Sequence, residues 1–273
     1  MKAITFPEKP LKVAVVQNNA GNSIKCNLDR LGELIARIRV CDLIALPEVF
    51  ALRGADRDYR AHAQSLRGNL VQWLGGIAQS RRCWIMAGSI MEKAGDKIYN
   101  TLLLLNRRGK IAARYRKIHL FEAHLGNGRS VRESDVYSAG KRPVMADIEG
   151  WQCGLSICYD LRFPELFRHY AAAGAHLFFV PANFTRKTGR DHWETLLRAR
   201  AIENQVFVVA PDQCGKNQAT GLASYGNSMI VGPWGEIVCR AGEKETVLTA
   251  VLDPENLRQT RRRVPVLCHR RLF

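Results

Sequence analysis

The sequence predicts an α/β fold with more than one sheet surface. Three observations point there. Strand-length apolar segments alternate with helix-period segments from end to end. Hairpins are interspersed among the strand–helix units, which calls for a layered domain rather than a simple doubly wound sheet. No G-x-G-x-x-G follows the first strand, so a dinucleotide-binding unit is excluded.

The elements follow in order. Lys12 to Gln17 (KVAVVQ) reads as a short apolar strand, and Leu28, Leu31, Leu34, Ile35 and Ile38 then recur at helical spacing. Cys41 to Pro47 (CDLIALP) is a second buried strand. Leu66, Leu70, Trp73, Leu74 and Ile77 mark another amphipathic helix, and Cys83 to Ile90 the strand after it. Ile98 to Leu105 and Ile111 to Lys117 flank Asn106-Arg107-Arg108-Gly109, a hairpin turn in which glycine supplies the positive φ. Ala123 to Arg132 is polar and glycine-containing, which predicts a loop over a site.

The second half continues in the same style. Gln152 to Cys158 is a strand, and Pro164 opens a helix through Ala173, with Gly174 as its stop. Ala175 to Pro181 is a strand, His192 to Gln205 a helix and Val206 to Pro211 a strand. Gln213 to Gly226 is a second polar loop. Ser228 to Val231 and Glu236 to Arg240 are joined by the turn Gly232-Pro233-Trp234-Gly235. Thr246 to Leu252 is a further strand, and Pro254 starts a terminal helix.

Composition narrows the function classes. The 273 residues include 41 Lys and Arg against 25 Asp and Glu, a formal net charge of +16. With 47% hydrophobic and 24% charged residues, a disordered tail, a collagen-like repeat and a coiled coil are excluded. A chain of this length buries a large core without staples. No Ser/Gly-rich linker or repeat interrupts it, so one domain over residues 1–273 is expected.

No stretch approaches the roughly 18–20 consecutive apolar residues of a membrane span. Met1 to Pro10 holds charges and two prolines where an export signal needs an apolar stretch. The eight cysteines are therefore read as reduced thiols and the protein as cytoplasmic. None forms a C-x-x-C pair, which argues against a zinc ribbon. The arginines are dispersed, clustering only at Arg261 to Arg263 and Arg270–Arg271, without the spacing of a nucleic-acid-binding motif. A basic surface that attracts small carboxylates fits the same charge.

Three polar residues stand where core strands should end, and that is where α/β folds assemble sites. Glu48 closes Leu43-Ile44-Ala45-Leu46-Pro47-Glu48, Lys117 precedes Ile118-His119-Leu120, and Cys158 ends Gly154-Leu155-Ser156-Ile157-Cys158. A cysteine after an apolar strand is commonly a small buried hydrophobe, the reading given to Cys83 and Cys153. At the corner of a strand–turn–helix it can instead be an exposed nucleophile, with the following backbone N–H groups as oxyanion donors. A desolvated carboxylate would take its proton, and a lysine nearby would favour the thiolate.

LPE at 46–48, YRKIHL at 115–120 and CYDLRFPEL at 158–166 look like the Glu, Lys and Cys motifs of the nitrilase superfamily of carbon–nitrogen hydrolases. The likeness runs from Lys12 to Arg271. His192-Trp193-Glu194, Leu197 to Glu203, Gln213-Cys214-Gly215, Ala223-Ser224-Tyr225-Gly226, Pro233-Trp234-Gly235 and Arg262 to Val266 are similar to the branch of omega-amidases and deaminated-glutathione amidases. That branch also carries a Glu-Ser pair after the lysine motif, matched here by Glu133-Ser134.

The resemblance implies a four-layer αββα sandwich, with two mixed sheets packed between helices. It implies a cysteine-dependent amidase that cleaves a small carboxylate-bearing amide to acid and ammonia through a thioester. Deaminated glutathione is the first candidate substrate; an omega-amidase or general aliphatic amidase is the alternative, and a non-catalytic binding module stands behind both. Glu48, Lys117, Glu133 and Cys158 would be catalytic, with Lys117 and the N–H of Tyr159 holding the oxyanion. No metal or other cofactor and no nucleic acid is implied. A homodimer or higher homo-oligomer is, with the C-terminal helix and tail, residues 254–273, at its interface.

Two departures from the branch mark the candidate substrate pocket. Pro181-Ala182-Asn183-Phe184-Thr185 stands where a small residue and alanine usually precede Phe-Thr, and Arg190-Asp191 replaces a proline and a small residue. Asn183, Thr185, Arg190 and His192 are therefore the expected substrate-binding residues, Arg190 as a cation at the entrance. Asp160 and Arg162 are read as an ion pair holding the elbow, His119 and His124 as lacking partners for a metal site, and Trp73, Trp84 and Trp151 as packing. Arg261 to Arg263 would complement the dipole of the last helix.

Overall fold

The computed structural model describes residues 5–126 and 129–271. β1 (Leu11–Gln17) leads to α1 (Ile24–Ala36), where the Ser23 hydroxyl accepts the Cys26 N–H at 3.4 Å. β2 (Leu43–Leu46), α2 (Asp56–Ala61), α3 (Asn69–Arg81) and β3 (Trp84–Ala94) follow. β4 (Lys97–Leu105) and β5 (Ile111–Arg116) form the predicted hairpin, with Gly109 at φ 70° in its turn. β6 (Glu122–Gly126) and β7 (Arg129–Arg132) make a separate ribbon. Then come β8 (Met145–Ile148), β9 (Trp151–Leu155), α4 (Pro164–Ala172) and β10 (Leu177–Phe179). The rest is α5 (Arg186–Asn204), β11 (Phe207–Ala210), β12 (Met229–Val231), β13 (Ile237–Arg240), β14 (Thr246–Leu252) and α6 (Pro254–Arg263).

Two six-stranded sheets carry the fold, in the orders β14-β1-β2-β3-β4-β5 and β13-β12-β11-β10-β9-β8. In each, three parallel strands (β1, β2, β3 and β9, β10, β11) are flanked by antiparallel ones. The inner strands of the first sheet are buried on both faces, which period-two alternation makes visible. Ala14, Val16, Ile44, Ile85, Leu103 and Leu105 pack against Leu31, Leu34 and Ile35 of α1 and Leu70 and Leu74 of α3. Their neighbours Val13, Val15, Ala45, Met86, Leu102 and Leu104 face a core shared with the second sheet and with Phe167 of α4 and Trp193 and Leu197 of α5. The layers are therefore helix, sheet, sheet, helix, as expected.

Four details differ from the sequence reading. Ala123 to Arg132 is not a loop but the β6–β7 ribbon; among its described side chains only the cross-strand pair Ala123 and Val131 is half-buried, too short a pattern to announce a strand. Within it, residues 127 and 128 lie outside the described residues, as do residues 1–4 and 272–273, the ends of the N-terminal segment and of the tail. α5 starts at Arg186 rather than His192, because its first turn buries only Gly189 and so carries no apolar stripe. α2 and β8 were not anticipated. β9 stops at Leu155, and Cys158 stands beyond it with φ 48°.

No helix among the described residues is long and apolar enough to cross a membrane. Trp151 is buried, and Trp84 donates its indole N–H to Glu149 at 3.1 Å. Arg261 does more than complement a helix end. It is buried, donates to the carbonyls of Gln205 and Ala175 at 3.2 and 2.7 Å, and sits over the ring of Phe6.

Candidate active site

Three strand ends deliver the site. After β2 the chain turns through Pro47 to Glu48, and Gly88 of β3 lies so close that a Cβ there would come within 1.8 Å of the Pro47 carbonyl oxygen. Only glycine fits. Beyond β5, the Lys117 N–H donates to the Asn100 carbonyl at 2.9 Å, and its own carbonyl accepts the Gly140 N–H at 2.7 Å. Beyond β9, the Cys158 N–H donates to the Pro181 carbonyl at 2.9 Å. The left-handed φ of Cys158 is costly for a residue with a Cβ and marks a strained elbow.

Asp160 holds that elbow, though not by pairing with Arg162 as expected. Its carboxylate accepts the Tyr115 hydroxyl at 2.7 Å, the Ile157 N–H at 2.9 Å and the His119 N–H at 3.0 Å. The His119 ring lies 2.7 Å from the same carboxylate and stacks on Phe163. Arg162 instead reaches the His192 ring at 3.2 Å and lies over Phe184.

The polar groups form one chain. Lys117 Nζ donates to Glu48 Oε1 at 2.8 Å and to Glu133 at 2.8–2.9 Å. Glu48 Oε1 also accepts the Asn100 side-chain N–H at 2.8 Å, and Oε2 accepts the backbone N–H of Asn183 at 2.9 Å. Glu133 Oε2 accepts the Phe121 N–H at 2.8 Å. Burial alone would lower the pKa of Lys117, but Glu133 and Glu48 reverse this and hold it well above the ordinary lysine value. Burial pushes the Glu133 carboxyl up against the opposing pull of Lys117. Burial also pushes the Cys158 thiol well up; Glu48 adds to the shift and Lys117 opposes it.

Glu48, Lys117, Glu133 and Cys158 line one cleft of about 600 Å³. Asn183 and Thr185 line it too, and Tyr159 flanks the adjoining recess with Cys158. The Tyr159 N–H carries no hydrogen bond to any described residue, whereas that of Cys158 is taken. Arg190 and His192 are corrections. Both lie on the exposed face of α5, where Arg190 pairs with Asp191 at 3.3 Å, and neither lines the cleft. Helical spacing turns Gly189, Trp193 and Leu197 inward and leaves them outside.

Sequence reasoning missed several groups at the cleft. Asn100 holds Glu48, and Ser224, Tyr59 and Tyr137 line the wall. The buried Tyr137 hydroxyl has no partner among the described residues. Arg53 lies directly behind that wall; its signal was a lone arginine between the apolar run Phe50-Ala51-Leu52 and Gly54. Among the described residues, no cluster of three His, Cys, Asp or Glu side chains is placed to hold a metal ion.

Residues 12–262 match the family model of the carbon–nitrogen hydrolases. The chain belongs to that family. This carbon–nitrogen hydrolase is 39% identical over 269 residues to the deaminated glutathione amidase of Synechocystis, covering 96% of this chain and 98% of that one. It is 34% identical over 282 residues to omega-amidase NIT3 of Saccharomyces cerevisiae, covering 99% and 97%. The crystal structure of Saccharomyces cerevisiae Nit3, a member of branch 10 of the nitrilase superfamily, superposes with a TM-score of 0.87 at 33% identity over 97% of this chain and 98% of that one. The nitrilase-type sandwich and the assignment to the amidases of this family both stand.

Proposed function

We propose that this hydrolase cleaves a small carboxylate-bearing amide, deaminated glutathione first, by nucleophilic catalysis at Cys158. The observation that carries the reading is the hydrogen-bonded chain Glu48–Lys117–Glu133 opening onto the same cleft as Cys158. Glu48 takes the thiol proton as sulfur attacks the amide carbon. Lys117 and the Tyr159 N–H hold the oxyanion, and Glu133 keeps Lys117 charged and in place. The C–N bond breaks, Glu48 returns its proton to the departing ammonia, and a thioester remains. Glu48 then deprotonates water, which cleaves the thioester and regenerates the thiol.

The names of the Synechocystis and Saccharomyces relatives support this substrate class, and they leave an omega-amidase as the second reading. Steady-state kinetics on deaminated glutathione, α-ketoglutaramate and short aliphatic amides tests it. The expected result is a clear preference for deaminated glutathione; equally feeble rates on all three reject the proposal. Cys158→Ala is expected to abolish turnover and the acyl-enzyme mass. Full activity in that variant places the nucleophile elsewhere. As its setting we propose the cytoplasm, and as its form a single-domain chain assembled as a homodimer or larger homo-oligomer through residues 254–273.

A further inference from the structure

Arg53 is fully buried, yet its guanidinium donates only to neutral oxygens among the described residues. Nε reaches the Ala20 carbonyl at 3.2 Å, one terminal nitrogen reaches Ser224 Oγ at 2.6 Å and Asn183 Oδ1 at 3.5 Å, and the other bonds Asn19 Oδ1. Asp212 is near enough to feel this charge but makes no ion pair with it. Its Oδ1 accepts the Phe184 N–H at 2.9 Å, and burial pushes its carboxyl well above the usual range. A buried cation without a counter-charge is unfavourable by itself. The field it creates has to end somewhere, and the cleft is next to it.

The hydrogen-bond logic gives that field a direction. Arginine can only donate, so the lone proton of Ser224 is free to go to Asn183 Oδ1, 2.6 Å away. The same rule fixes the Asn183 amide with its oxygen toward Ser224 and Arg53. Its Nδ2 group, on a half-buried residue that lines the cleft, then keeps two N–H donors with no acceptor among the described residues. Those donors are polarised by the cation behind them. The backbone of the same residue donates to Glu48, so the amide is anchored beside the carboxylate at the cleft floor.

We propose that Arg53, acting through Ser224 and Asn183, makes this wall of the cleft the binding site for the substrate's carboxylate. Arg53 is a positioning residue, and Asn183 is the group that touches the substrate. A neutral carboxamide can accept the same hydrogen bond, but a carboxylate gains from the charge as well. The pair therefore sets preference between the two.

The proposal rests on the amidase reading only for its kinetic arm. Glutaric acid monoamide and glutardiamide differ at one end, carboxylate against carboxamide, and the ratio of their kcat/KM values reads the preference. Arg53→Gln is expected to lower the ratio of monoamide to diamide roughly tenfold, mostly through the KM of the monoamide, while Arg53→Lys keeps most of it. Ser224→Ala carries the same test should Arg53→Gln fail to fold. Independently of turnover, calorimetry of glutarate is expected to show binding to the wild type weakened about tenfold in Arg53→Gln or Ser224→Ala. An unchanged ratio with unchanged glutarate affinity, or an equal loss on both amides, overturns the assignment. Wild-type enzyme that hydrolyses neither amide counts against the proposed class of small carboxylate-bearing amides instead, and glutarate binding still decides the carboxylate site.

Discussion

One ammonium group at Lys117 is shared by two carboxylates, Glu48 and Glu133, and none of the three reaches bulk water freely. Removing the cation would leave two uncompensated charges facing each other in a low-dielectric site. Lys117→Met is therefore expected to cost about 3–5 kcal/mol of stability besides activity. Urea denaturation measures it; an unchanged midpoint would mean the carboxylates are neutral in the folded enzyme. His176 offers a second check. Its Nδ1 accepts the Gln152 N–H at 3.1 Å and its Nε2 donates to the Thr5 carbonyl at 2.7 Å, so the ring is held neutral. Burial and Arg261 lower its pKa from 6.5 to about 4. The unfolded chain then binds the extra proton between those values, so stability is full above pH 6.5 and falls as pH drops toward 4. Between pH 7 and 4.5 the wild type is expected to lose about 2 kcal/mol more than His176→Asn. Equal losses in the two proteins would assign the pH dependence to other groups.

Among the elements, the parallel strands β2 and β9 each carry a candidate site residue just past their ends, which is why Glu48 and Cys158 are legible in the sequence. An apolar run that stops at a carboxylate or a thiol is conspicuous, and so was the lysine after β5. Glu133 was different. It sits in a short 3-10 turn (Glu133–Asp135) with no apolar frame, and only the family resemblance pointed to it. Arg190 and His192 were misplaced because adjacency in sequence does not tell which side of a helix a residue occupies, and α5 begins about two turns before its apolar stripe. The close contact of β3 with the β2 turn makes a direct prediction. Gly88→Ala must push the Pro47 carbonyl away and move Glu48 with it. A loss of about 1–3 kcal/mol is expected, together with a fall in kcat. Wild-type kcat in that variant would show that the Pro47 turn yields without carrying Glu48 along.

For the molecule as a whole, the net charge of +16 bears on encounter rather than on fold. The proposed assembly through residues 254–273 has exposed apolar groups to draw on: Val264 and Val266 beyond α6, and Trp234 in the β12–β13 turn with Arg263 4.4 Å from its ring. Light scattering is expected to return a multiple of 30.7 kDa, and a particle of 30.7 kDa at micromolar concentration rejects the assembly. One further property follows from the pairing of β14 with β1, in which Leu11 lies opposite Leu252 and Gln17 opposite Thr246. The partner of β1 on that side is synthesised more than two hundred residues after it. Throughout translation of the intervening chain, β1 presents a bare hydrogen-bonding edge that only a late arrival can cover. A nascent chain stalled before residue 246 should thus be a substrate for chaperones and prone to self-association, however well its active-site strands have already formed.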